Sequence, residues 1–116
     1  MLRESGKMSG QNYDLKGALD PNIESGVEHG VALVSFTRAI TGKSTAELDA
    51  ARNELLAVAG SAAVATAALI AANFSLLDRL ANAIGISLDD MMVKPSADIR
   101  ELLGINAYPS AANTAL

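Results

Sequence analysis

The chain has 116 residues, enough for one domain with a modest stability margin. It has no cysteine, which excludes disulfides, zinc-thiolate sites and dithiol redox chemistry. The net charge of -4 and nine scattered basic residues argue against a nucleic-acid or anionic-bilayer partner. Half the residues are hydrophobic but only 3% aromatic, with no Trp, so Ala, Leu, Val and Ile carry the apolar content and favour close helix packing.

Residues 1–22 read as an extended or disordered lead-in. Met1 to Asp20 is polar and holds no apolar core of a signal peptide. Gly6, Ser9, Gly10, Gln11, Asn12 and Gly17 dilute any periodicity, and Asp20-Pro21-Asn22 signals a turn. A first helix is predicted from Ile23 or Glu24 to Ile40. Val27, Val31 and Val34 form one stripe; Leu33, Phe36 and Ile40 form the next. Thr41-Gly42-Lys43 ends it.

The second helix has the clearest start. Ser44-Thr45-Ala46-Glu47 has the capping-box pattern, Leu48, Ala51, Leu55 and Val58 recur at helical spacing, and Gly60 is the stop. A third helix is predicted from Ser61 to Ile84, with Gly85 as its stop. It is apolar nearly all round until Asp78 and Arg79, which predicts a central, buried helix. A connector follows, in which Leu88 is expected to tuck under the core. A short fourth helix over 96–103 is capped by Ser96 and stopped by Gly104. The helical domain is therefore expected over 23–104, and residues 105–116 as a mobile tail. There are no strand-like alternations and no internal repeat. The predicted fold is all-α, a small bundle of about four helices with a long central apolar helix.

The run from Leu55 to Leu77 has no charged residue and is long enough to span a bilayer. It reads as part of a soluble protein. Gly60-Ser61 breaks it early, most of its apolar residues are Ala, and Thr66, Asn73 and Ser75 add polar cost.

The stretch from about Val31 to Asp89 carries a resemblance. Its residues are 33–41, the second helix ending Ala59-Gly60, and above all 71–88: Phe74-Ser75, Arg79, Ala81, Ala83 and Gly85-Ile86-Ser87-Leu88. This pattern resembles the C-terminal half of the carboxymuconolactone decarboxylase and alkylhydroperoxidase D-like superfamily, with Ser87 where Pro is usual. The resemblance covers roughly half the chain and implies an all-helical fold that oligomerises through its helices. Redox members carry Cys-x-x-Cys with a His four residues on. If His29 takes that His position, Asn22 and Ser25 occupy the thiol positions, and neither side chain forms a thiolate. Thiol-dependent peroxidase or disulfide reductase activity therefore does not carry over.

Glu24, Glu28 and His29 are the one cluster with acid-base character, and Glu28 and His29 are the candidate catalytic pair, since an imidazole beside carboxylates can shuttle protons. The competing and preferred reading is a solvated first helical turn, where acids favour the helix dipole. A metal site from these three residues lacks a third, distant ligand and the His-Glu-x-x-His spacing, so no metal and no cofactor are expected. Arg79 is the candidate ligand-binding residue, as a fixed guanidinium suits carboxylates; the plainer reading is an ion pair with Glu47, Asp49 or Glu54. Asn73 either bonds across helices and fixes oligomer register or faces solvent. Met91-Met92 reads as gap filling.

Three functions follow as expectations. The first is a non-catalytic or divergent cytoplasmic homo-oligomer on the superfamily scaffold. The second is a small enzyme or ligand-binding protein using Glu28, His29 and Arg79. The third is an accessory subunit that covers its apolar helix with a different protein.

Overall fold

The computed structural model describes Gly6 and residues 8–114. Residues 1–5 and 7 of the lead-in, and residues 115–116 of the tail, lie outside the described residues. Every regular element among the described residues is helical: α1 (Gly30–Thr41), α2 (Thr45–Ile84), α3 (Asp90–Val93) and α4 (Ala97–Leu102). Short 3-10 turns cover Leu15–Ala18, Ile105–Ala107 and Pro109–Asn113. The chain divides into two compact units, 1–72 and 73–116, with the division inside α2.

In the first unit, α1 starts later than its periodicity predicts. The reason is local backbone chemistry. Gly26 and His29 both adopt left-handed backbone, with φ of 78° and 55°, which no helical turn accommodates. The Ser25 hydroxyl accepts from the Val27 N–H at 3.2 Å, and Gly30 N–H closes a turn on Val27 O at 2.9 Å. Glu24, Glu28 and His29 therefore precede the helix, and the predicted i, i+4 face of Glu24 and Glu28 does not form. The lead-in is tied to this turn: Asp14 N–H donates to Ser25 O at 3.0 Å, and Arg38 donates to Leu19 O.

Ser44 caps the start of α2 as its pattern predicts, accepting from Glu47 N–H at 3.3 Å. The predicted stop at Gly60 is real. Gly60 has φ 82° and ψ 173°, a region essentially reserved for glycine, so α2 is two helical arms, 45–59 and 61–84, joined at a break. The second arm ends at Gly85, where Ile86 N–H reaches back to Ala81 O at 3.0 Å.

The core is small. Ala32 and Phe36 of α1 meet Ala51 and Leu55 of the first arm, and Phe36 and Leu55 are 2% and 0% exposed. Leu33, Ile40, Leu48, Val64, Ala67 and Ala68 pack around them. The alanines let helix axes approach closely, and Leu55 fills the space between them.

The second arm overturns one expectation. It is not a buried helix. Its small residues Val64, Ala67 and Ala68 face the core, while its large ones face out: Leu69 is 71% exposed, Leu76 65% and Ile84 64%. The cause is a shortage of partners: one side of the arm meets the core cluster, and nothing else among the described residues covers the other.

In the second unit no described residue from 73 to 114 is buried. Hydrogen bonds carry its order instead. The predicted connector forms a helical turn, α3, capped by Asp89, whose carboxylate accepts from Met91 N–H at 2.9 Å. Ser96 precedes α4 but does not cap it; its hydroxyl donates to Met92 O at 2.6 Å. Arg100 donates to Val93 O at 2.9 Å and to Asn106 at 3.2 Å, and also to Ser96 Oγ. Leu88 is half-buried, its N–H donating to Thr114 Oγ1 at 2.8 Å; it lines a pocket with Ile105, Tyr108 and Ala111 in place of the expected seat under the core.

Candidate functional site

The predicted acid-base pair sits on the turn that precedes α1. His29 Nε2 lies 3.7 Å from Glu28 Oε1, and both side chains are open to solvent. That separation exceeds a hydrogen bond, and Glu28 is 90% exposed. His29 has a second neighbourhood. It lines a cleft of about 350 Å³ with Glu24, Val31, Glu54 and Val58. The left-handed backbone at His29 turns the chain here, and the first arm of α2 brings Glu54 to the same cleft. Two carboxylates and an imidazole thus border one cavity, but no three acidic or histidine side chains among the described residues converge closely enough to hold a metal ion.

A neighbouring cleft of about 360 Å³ is lined by Arg38, Glu47 and Glu54. Close by, Asp20 accepts from the Asn22 N–H at 2.9 Å and from its side-chain amide at 2.8 Å. These two bonds, backbone first, with Arg38 adding a weaker pull, hold the Asp20 carboxyl below its ordinary value of 3.8.

Arg79 lies on the second arm in the other unit. It is exposed, and it forms no hydrogen bond or ion pair among the described residues. Of its predicted partners, Asp49 bonds Arg52 at 2.8 Å on its own helix. Asn73 is exposed within the apolar arm, and Met91 and Met92 are exposed as well, so the methionines fill no core gap.

Sequence reasoning missed Glu54 as a neighbour of His29, and Arg100 as the tie of the second unit. Glu54 follows Glu47 by seven positions, a helical repeat that places both on one side, but which cleft they border depends on tertiary packing. Arg100 had no signal beyond its place in a short helix.

No family model, no curated protein and no solved structure matches this chain. By length and composition α2 qualifies as a membrane-crossing helix.

Proposed function

We propose that this chain is a non-catalytic or divergent helical protein that self-assembles in the cytoplasm, on the scaffold of the carboxymuconolactone decarboxylase and alkylhydroperoxidase D-like superfamily. The observation that carries this reading is the outward stripe of large apolar residues on 61–84. Leu69, Ile70, Leu76, Leu77, Leu80 and Ile84 are all about half exposed or more. A soluble chain rarely leaves so much contiguous apolar surface open unless something covers it.

A protein partner fits this surface better than lipid does. The charge-free helical run from 61 to 77 measures about 25 Å at 1.5 Å per residue, short of a hydrocarbon core about 30 Å thick. Its opposite face is already committed to the core through Val64, Ala67 and Ala68. Asn73 and Thr66 also lie on the open face, where a bilayer gives their hydrogen-bonding groups no partner.

The test is the solution mass by light scattering coupled to chromatography. A discrete multiple of the chain mass is expected. A well-folded single chain at micromolar concentration, or one that acquires mass only with an unrelated protein, overturns the reading. Recovery only from the detergent-extracted membrane fraction does so too.

A second reading rests on the cleft shared by Glu24, His29 and Glu54: a binding site for a small cationic or hydrogen-bonding ligand. Arg79 has no place in that cleft. If His29→Ala leaves every thermal shift in a ligand screen unchanged, this reading ends.

A further inference from the structure

The second unit holds a pocket that neither reading above uses. It lies wholly within residues 88–114 and measures about 190 Å³. Leu88, Ile105, Tyr108 and Ala111 give it apolar walls, and Arg100 is the one charged residue among the described residues that lines it. The bond from Leu88 N–H to Thr114 Oγ1, at 2.8 Å, joins the two ends of the segment that builds it.

Arg100 is held in place but not satisfied. Its Nη1 donates to Val93 O at 2.9 Å and to Ser96 Oγ, and its Nε donates to Asn106 Oδ1 at 3.2 Å. A guanidinium has five N–H groups, so these bonds leave the two on Nη2. Nη2 donates to nothing among the described residues. Nor is it sealed from solvent, since no buried side-chain nitrogen or oxygen among the described residues lacks a partner. All three acceptors are neutral, and the ion pairs among the described residues lie in the first unit. A half-buried cation is therefore fixed beside an apolar pocket with no anion opposite it.

We infer that this pocket binds a small monocarboxylate with an apolar body. Nη2 of Arg100 donates to one carboxylate oxygen, a charge-assisted bond from a donor whose side chain is already ordered. Tyr108 and Ser110 line the same pocket and carry hydroxyls that can donate to the second oxygen. The apolar walls take the body of the ligand. The size fits: an apolar cavity of about 150 Å³ holds a benzene ring, so this pocket suits an acid the size of benzoate. Inorganic phosphate fits less well. It brings more charge than one guanidinium offsets and leaves the apolar walls in water. The inference stands apart from the self-assembly reading, because every residue of the pocket lies outside 61–84.

The test is an NMR titration of the isotope-labelled full chain with benzoate, read at the backbone amides. Saturable shifts confined to 88–114 are expected. Benzamide, which keeps the shape without the charge, and inorganic phosphate, which keeps the charge without the ring, should each bind at least about tenfold more weakly. No saturable shift with benzoate overturns the inference. Equal binding of benzamide overturns the carboxylate, and equal binding of phosphate overturns the apolar body. This comparison needs no variant, so it decides the question even where a substitution loosens the segment. Two variants then locate the site. Ala111→Leu fills the pocket and leaves every bond of Arg100 in place, so benzoate binding should be lost while amide exchange in 88–114 stays as in the parent. Binding that survives it lies elsewhere and overturns the assignment. Arg100→Lys keeps the charge but not the planar fork, and should weaken benzoate at least about tenfold. Unchanged affinity in that variant removes the guanidinium from the site.

Discussion

The two arms of α2 differ in charge, four of fifteen residues in 45–59 against two of twenty-four in 61–84, yet the less charged arm leaves more of its large apolar residues exposed. The first, 45–59, buries Ala51 and Leu55 and turns Glu47, Asp49, Arg52 and Glu54 outward. The second, 61–84, packs Val64, Ala67 and Ala68 against the core and leaves its leucines exposed. Apolar content alone therefore does not decide what a helix buries. What decides it is which side of the arm finds a neighbour, and Gly60 sets that by fixing how the second arm leaves the first.

The contrast is easiest to break at Leu55. Leu55→Ala empties the centre of the core and should lower unfolding free energy by about 2–5 kcal/mol in urea titrations. The same truncation at Leu76 should change the dilute protein by less than about 0.5 kcal/mol. Its effect should grow with protein concentration, since an assembled state stabilises the fold by mass action. Equal losses at both sites in dilute solution would erase the distinction between the arms.

Gly60→Ala comes next. No atom lies within 4 Å of where its Cβ would sit, so the loss reports backbone conformation alone. About 1–3 kcal/mol is expected. A neutral result would mean that the arms join through an ordinary helical residue. Arg100→Ala should cost about 1–2 kcal/mol, seen as faster amide exchange in 88–114 with the core amides unchanged, because it removes the ties to Val93 and Asn106.

The smallest effect is the pH dependence at Asp20. Its folded pKa lies below the unfolded value, so its contribution is present above about pH 3.8 and fades as pH falls below it. Asp20→Asn should remove that slope between pH 5 and 3 in urea titrations. A slope that survives the substitution assigns it to other carboxylates.

Much of this fold was legible where a single residue type settles the backbone. Ser44, Gly60 and Gly85 marked helix limits that the structure keeps, because capping and φ-positive backbone are local chemistry. The start of α1 was not legible, since the valine stripe runs on into a segment that Gly26 and His29 turn away from helix. Burial of 61–84 was misjudged because periodicity counts apolar residues, whereas burial needs neighbours the rest of the chain does not supply. For the candidate site, the nearness of Glu28 and His29 was legible as adjacency in sequence. The approach of Glu54 to His29 was not, because it depends on how α2 packs beside the turn.

The break at Gly60 has a kinetic consequence. It lets the core assemble from one contiguous stretch, 32 to 68, with no distant segment to recruit. Chains with such local topology fold on the microsecond to millisecond scale. Association of two chains is slower at cellular dilution, because it waits on encounter. Each newly made molecule thus completes its core while its leucine stripe is still uncovered. If the chain self-assembles as proposed, that interval shortens as the concentration of its own copies rises, so the level of expression governs how long the stripe stays open to other proteins.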